Sequence, residues 1–250
     1  AAGYSSSTAG TSNYIAGVNA GNSIQSGGNY NTVVGDEAGT AITTGDNNVG
    51  IGSNSLALNT TGTQNTAVGA FTLDSNTTAN DNTAVGGSAL GQNTTGASNT
   101  ALGRSALTAN TTASNNTAVG KDAGAAITTG ADNTIIGAAA GDALTVGNSN
   151  TAVGQNALSL DTKGDLNTAI GIGALQSQNF TSTTDSYNTA VGGFAGGSNT
   201  TGTQNTFVGG LAGNNNTTAD NNTAVGYLAL TTNTTGSLNT AVGGDTLKVN

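Results

Sequence analysis

Proline, cysteine, methionine, tryptophan and histidine are all missing from this chain of 250 residues. Without histidine and cysteine, the chain lacks the commonest general base, the commonest metal ligand and the thiol nucleophile of enzymes. Without cysteine, no disulfide can hold the fold together. The absence of methionine, with which translation starts, indicates a processed product or a segment of a longer chain.

Charged residues are also scarce, at 7% against the roughly 25% of ordinary globular proteins. The 13 acidic and 4 basic residues give a net charge of −9. A protein needs clustered cations to neutralise a phosphate backbone, and the few present are scattered, so we expect no nucleic-acid partner. These are Arg104, Lys121, Lys163 and Lys248. No apolar run approaches the roughly 20 residues of a membrane span, and we expect none in this segment.

The residues that are present form an internal repeat. The unit N-T-A-V-G, or a close variant, occurs 14 times, from Asn13 to Asn239, and 11 of the 13 spacings are 17 residues. The other two are 18 and 21, the longer one because four residues are inserted within 176–187. We predict a polar N-terminal lead-in or cap over residues 1–12 and one repeat domain over residues 13–250.

The full unit reads N-T-A-V-G-x-x-A-[L/G]-x-x-N-T-T-G-x-x, and its positions are numbered 1 to 17 from the first Asn. A period of 17 is too short for the helix pairs of 33- or 34-residue repeats, and Asn, Thr and Gly disfavour helix. It fits two short strands and two tight turns. The sequence therefore predicts an all-β fold, a parallel β-solenoid of about 14 coils stacked about 4.8 Å apart.

Stacked coils place equal repeat positions above one another, so positions 1 and 5 are predicted to form structural ladders. The Asn side chain can donate to the neighbouring coil, and the Gly can adopt a left-handed corner conformation. The ladder residues in the regular central coils are Asn65, Asn82, Asn99, Asn116, Asn133, Asn150, Gly69, Gly86, Gly103, Gly120, Gly137 and Gly154.

The apolar positions predict a packed interior. We expect Val, Ile or Leu at position 4 to point inward and Ala at position 3 to face another copy of the chain, since adjacent strand residues point to opposite faces. Position 9 alternates between Leu and Gly, with Ile or Leu at position 12 where position 9 is Gly. Gly196 and Gly213 lack that partner, and we expect Phe194 and Leu211 to compensate. Charged residues avoid positions 1–5, 8 and 9, and we expect them in water.

The unit N-T-A-V-G-x-x-A resembles the N-S-x-A-I-G-x-x-A coils of trimeric autotransporter adhesin heads. The longer form N-T-A-V-G-x-x-A-L-x-x-N-T-T-G also resembles shaft repeats of bacteriophage tail fibres. The resemblance covers Asn13 to Asn250. It implies a left-handed parallel β-roll and a homotrimer of chains lying side by side.

The acidic residues do not predict a reactive site. Asp occurs at many repeat positions without stacking in adjacent coils, which argues against a calcium β-roll and against paired catalytic carboxylates. We expect no catalytic residue, no metal and no cofactor. Seven Asn-Thr-Thr sequences are formal glycosylation acceptors, and corner residues are the other interpretation. They begin at Asn59, Asn76, Asn93, Asn110, Asn199, Asn216 and Asn233.

The insertion within 176–187 carries Phe180 and Tyr187. Exposed aromatic residues on a protruding loop can mark a binding site, and these two are the ligand-binding candidates. Tolerated growth of a surface loop is the alternative.

Together these features predict a non-enzymatic structural fibre or adhesin segment, located outside a cell, on its surface or on a virion. A stiff rod would present a repetitive surface to a receptor or glycan, where weak contacts sum to useful avidity. One alternative is a subunit of an extracellular filament stacked end to end. A second is an ice-binding solenoid, because Thr recurs at position 2 and at positions 13 and 14.

Overall fold

A computed structural model describes residues 9–248 of the chain, and within that range it is all-β, without a helix. The chain divides into two compact units, Ala1–Asp122 and Ala123–Asn250. Each unit is a parallel β-solenoid with one short strand per 17-residue repeat, which confirms the predicted fold class and period. Most of the predicted lead-in, residues 1–8, lies outside the described residues, as do residues 249–250.

Seven strands of three residues form the main sheet of each unit. In the first unit they are β1 (Tyr14–Ala16), β2 (Thr32–Val34), β3 (Val49–Ile51), β4 (Thr66–Val68), β5 (Thr83–Val85), β6 (Thr100–Leu102) and β7 (Thr117–Val119). In the second they are β8 (Thr134–Ile136), β9 (Thr151–Val153), β11 (Thr168–Ile170), β13 (Thr189–Val191), β14 (Thr206–Val208), β15 (Thr223–Val225) and β16 (Thr240–Val242). The remaining strands, β10 (Gly164–Asp165) and β12 (Thr184–Asp185), pair with each other.

Only positions 2–4 of a regular coil are strand, so the expected second strand per coil is wrong. The rest of the coil consists of turns whose N–H groups bond to neighbouring coils. Leu73 N donates to Ala89 O at 3.1 Å in one direction, and Phe71 N donates to Ser53 O at 2.9 Å in the other. Because these bonds satisfy the backbone wherever the chain turns, the coil needs no second strand.

The orientation of the strands is the reverse of the expected one. Position 3 is buried, as at Ala67 and Ala84, whereas position 4 is partly or largely exposed, as at Val68 and Leu102. Position 3 faces the opposite wall of its coil, where Leu at position 9 already fills the interior. A small residue therefore fits at position 3, and the larger Val or Leu points outward.

The interior conserves volume across positions 3, 9 and 12. Leu at position 9 is buried together with Asn at position 12, as in Leu73 and Asn76, and Gly at position 9 goes with a buried Ile, as in Gly39 and Ile42. Position 3 carries a residue larger than Ala in four of the six coils with Gly at position 9. A Cβ built on Gly39 would lie 2.6 Å from Val33 Cγ1.

Phe207 provides the largest such compensation. It lies at position 3 of its coil and is completely buried, whereas Phe194 is 42% exposed and Leu211 is half-buried. The expectation that Phe194 and Leu211 fill the interior beside Gly196 and Gly213 is therefore wrong. The ring of Phe207 occupies the space next to both glycines.

Two columns of asparagine side chains bond the coils to one another. At position 1, Asn82 Nδ2 donates to Gly96 O at 2.9 Å, and Asn82 Oδ1 accepts from Asn99 N at 2.9 Å. At position 12, Asn93 Nδ2 donates to Asn76 Oδ1 at 3.0 Å. Both columns are buried, so the Asn-Thr-Thr asparagines are interior residues whose amides are not available for a sugar in the folded chain.

Candidate functional site

The side chains at positions 2 and 4 form the outward face of each main sheet, which we call the outer strip. In the first unit the strip comprises Tyr14, Ala16, Thr32, Val34, Val49, Ile51, Thr66, Val68, Thr83, Val85, Thr100, Leu102, Thr117 and Val119. In the second it comprises Thr134, Ile136, Thr151, Val153, Thr168, Ile170, Thr189, Val191, Thr206, Val208, Thr223, Val225, Thr240 and Val242.

The outer strip of either unit contains no charged residue and is rich in β-branched side chains. Its apolar members reach far into solvent, with Ile51 40%, Leu102 48% and Ile170 38% exposed. The parallel pairing places residues of the same repeat position next to one another in neighbouring strands. Thr66 pairs with Thr83 and Val68 with Val85, for example. Each strip is therefore a continuous column of Thr beside a continuous column of Val, Ile or Leu, broken only near the first strands.

The strip is large enough to matter energetically. Seven strands about 4.8 Å apart, each about 10 Å long, give about 300 Å² per unit. The apolar column makes up about half of this area, and contiguous exposed apolar surface on a single chain is often functional. The threonine hydroxyls at position 2 make no side-chain hydrogen bond within residues 9–248 and remain directed outward.

The threonines at position 13 have a different role. Thr60, Thr77 and Thr94 each donate their hydroxyl to a backbone carbonyl of the following coil, at 3.0 to 3.1 Å. These hydroxyls are committed to holding the coils together. Within residues 9–248, the position-2 column is the outward array of threonine hydroxyls that lies on the sheet, whereas the exposed threonines at position 14 lie outside the strands.

The insertion separates the two aromatic candidates. Tyr187 is 52% exposed, but Phe180 is only 5% exposed, so the expectation of an exposed Phe180 is wrong. The inserted segment folds back along its neighbouring coil, where β10 and β12 pair and Thr162 Oγ1 donates to Phe180 O at 3.0 Å. Phe180 therefore lies in the interior next to this segment, whereas Tyr187 lies at the surface.

Asp161, beneath the insertion, is an acidic residue that the sequence reasoning misplaced. It lies at position 12, normally an asparagine, and is completely buried rather than in water. Its Oδ2 accepts from Gln178 Nε2 at 2.7 Å, and its Oδ1 accepts from Gly164 N at 3.0 Å. Burial at an interior repeat position, with these donors around the carboxylate, indicates a structural role. The sequence did contain a signal for this burial, because Asp161 occupies the same repeat position as Asn59 and the equivalent asparagines of other coils.

Clusters of metal-ligating side chains and membrane-spanning helices are both absent from the described residues. Residues 9–248 contain no cluster of three Asp or Glu side chains able to hold a metal ion. The same residues include no helix that could cross a bilayer. The candidate site is the outer strip, an exposed surface of each sheet.

Comparison with known proteins adds no assignment to this geometry. No protein-family model matches the chain, and neither a curated protein nor a solved structure shows significant similarity to it.

Proposed function

We propose that the chain is a non-enzymatic fibre or adhesin segment whose outer strip packs against further copies of the same chain. Three chains side by side would form a stiff rod outside a cell or on a virion. The faces that remain exposed would present a repetitive surface to a receptor or glycan. This arrangement matches the one implied by the resemblance to trimeric adhesin heads and tail-fibre shafts.

The observation that supports lateral packing is the uncharged, apolar outer strip. Burying a β-branched column against an identical column releases apolar surface from water at about 25 cal/mol per Å². Each strip offers about 300 Å², against the roughly 800 Å² per partner that standard interfaces bury. The side-chain sizes also fit, because Thr and Val side chains are short and allow sheets to approach closely.

Native mass tests the proposal directly. Light scattering on the full chain should give about three times 23.9 kDa, and negative-stain images should show short rods. The variant Leu102→Lys/Ile170→Lys places one cation in each outer strip and should shift the mass to that of a monomer. Thr78→Lys adds the same charge at an exposed position outside the strip and should leave the mass unchanged. A monomeric parent chain would overturn lateral packing, and long filaments would favour end-to-end stacking.

Ice binding is the second candidate, because the position-2 hydroxyls form in-register columns without internal partners in the described chain. Flat arrays of this kind can order water. Thermal hysteresis decides between the two, since a monomer with hysteresis supports ice binding. A trimer without hysteresis at high concentration supports the fibre.

A further inference from the structure

A cavity of about 200 Å³ opens on the surface of the first unit, away from the outer strip. It spans three successive coils at repeat positions 7, 10 and 11. Phe71 and Ser88 lie at position 7, Ser75 and Gln92 at position 11. The position-10 residues of the three coils, Asp74, Gly91 and Thr108, complete the lining.

Gly91 creates the space. A Cβ built there would lie 3.3 Å from Ser88 O and 3.4 Å from Asp74 Oδ1, which is close but attainable. Gly91 does not adopt a positive φ, and the flanking coils carry Asp74 and Thr108 at the same position. The backbone therefore does not require glycine here, and the missing side chain exposes the Asp74 carboxylate to the cavity.

The lining combines one aromatic ring with several polar groups. Phe71 is 50% exposed and offers an apolar face. The Gln92 amide and the hydroxyls of Ser75, Ser88 and Thr108 form no side-chain hydrogen bond within residues 9–248. Burial raises the pKa of the Asp74 carboxyl, opposed by hydrogen bonds from the backbone N–H groups of Asp74 and Ser75.

The lining residues are held in place by bonds between coils. Phe71 N donates to Ser53 O at 2.9 Å, Ser88 N to Ala70 O at 3.0 Å, and Gln92 N to Thr108 O at 3.1 Å. A rigid backbone beneath free side-chain donors and acceptors reduces the ordering cost of binding a ligand.

We propose that this cavity binds one pyranose ring of a neutral saccharide. The apolar C–H face of the sugar would lie on Phe71, and its hydroxyl groups would bond to the Asp74 carboxylate and the Gln92 amide. A small number of placed polar groups beside an aromatic ring can fix the orientation of a small ligand. No cation lines the cavity, which disfavours an anionic ligand, and one carboxylate is a poor donor set for calcium.

The saccharide site deepens the proposed attachment function, because it names the ligand class that the exposed surface would present. The fibre proposal and the saccharide-site proposal can be refuted independently of each other. A monomer that binds sugar would remove the fibre and keep the site, whereas a trimer that does not bind sugar would remove only the site.

Saturation-transfer NMR on the full chain tests the site. The probes are the methyl glycosides of glucose, galactose, mannose and N-acetylglucosamine, each at millimolar concentration. At least one should receive saturation on its ring protons. Gly91→Thr, which copies the residue of the next coil, should fill the cavity and weaken binding about tenfold or more. Gly87→Ala is the matched control, since a Cβ there would meet only Ala70 O, at 3.9 Å, and binding should persist.

Three results would overturn the site. The first is no saturation transfer to any of the four glycosides. The second is undiminished transfer in Gly91→Thr, because binding would then lie elsewhere. The third is a backbone amide shift at Asp74 and Gln92 on adding calcium chloride, without any response to sugar, which would indicate a cation site.

Discussion

The ring of Phe207 fills the space that a side chain on Gly213 would need, since a Cβ built on Gly213 would lie 2.3 Å from Phe207 Cδ1. On the other side of the ring, the corresponding distance from Gly196 to Phe207 Cδ2 is 2.6 Å. One aromatic side chain thus fills the interior of two coils that lack Leu at position 9. The interior of the solenoid is shared between neighbouring coils, not assembled coil by coil.

Phe207→Ala should therefore destabilise the chain by about 3–5 kcal/mol, the usual cost of a large aromatic cavity. The triple variant Phe207→Ala/Gly196→Leu/Gly213→Leu restores the Ala, Leu and Asn combination found at Ala224, Leu230 and Asn233. It should recover most of the lost stability in urea unfolding. Equal instability of the single and triple variants would contradict the volume exchange between positions 3 and 9.

The sequence was sufficient to predict the period, the fold class and the exchange between positions 9 and 12. It did not settle which of two adjacent strand residues points inward. Val68 is more hydrophobic than Ala67, and that difference favoured Val inside. Inside the coil, however, the space opposite the strand is already occupied by Leu73, so available volume outweighs hydrophobicity. The enlarged position-3 residues Val33 and Phe207, both followed by Gly at position 9, were the signal for the correct orientation.

The buried amide column at position 1 predicts a large difference between two asparagines of the second unit. Asn205 Nδ2 donates to Ala219 O at 2.8 Å, and Asn205 Oδ1 accepts from Asn222 N at 2.9 Å. Asn205→Ala leaves these buried groups unpaired and should cost about 2–4 kcal/mol. The exposed Asn215 is the control, and Asn215→Ala should change the free energy of unfolding by less than about 0.5 kcal/mol. Similar losses for both variants would argue against the ladder.

Two adjacent glycines offer a test of the corner conformation at position 5. Gly86 has φ +127°, and a Cβ there would lie 2.7 Å from Gly103 C, whereas the φ of Gly87 is not positive and its Cβ would make only an ordinary contact with Ala70 O at 3.9 Å. Gly86→Ala should therefore lower the free energy of unfolding of the chain by several kcal/mol. Gly87→Ala should be neutral or more stable by about 0.4–1 kcal/mol, since it restricts the unfolded chain. Thermal unfolding of both variants measures the contrast, and equal effects would contradict the assigned backbone.

The insertion shows a limit of sequence reasoning at the candidate site. Phe180 and Tyr187 are both aromatic residues of the same inserted segment, and nothing in their local sequence distinguishes them. The folded segment does so, because Phe180 is buried where its backbone bonds to Thr162, whereas Tyr187 is exposed beyond the pairing of β10 with β12. Such pairing depends on neighbouring coils, and a repeat pattern gives no guidance where the repeat is interrupted. The cavity beside Phe71 was missed for a related reason, since it arises from a missing side chain at Gly91.

Asp74 makes stability depend on pH in a direction opposite to that of a salt-bridged carboxylate. Burial raises its folded-state pKa above the ordinary value of 3.8, so ionisation weakens the folded state. The favourable contribution of the protonated form is complete below the unfolded pKa and is lost as the pH rises through the folded one. Asp74→Asn should therefore raise the melting temperature at pH 7 and lose this advantage below about pH 3.5.

Asp185→Asn is the control for Asp74→Asn, because it removes one negative charge at an exposed position. If the benefit of Asp74→Asn arose only from the lower net charge, Asp185→Asn would give the same rise at pH 7. The expected result is a rise for Asp74→Asn alone, measured by thermal unfolding between pH 3 and pH 7. A rise that persists unchanged at low pH would show that the amide stabilises the fold through new hydrogen bonds, not through the removal of a partly buried charge.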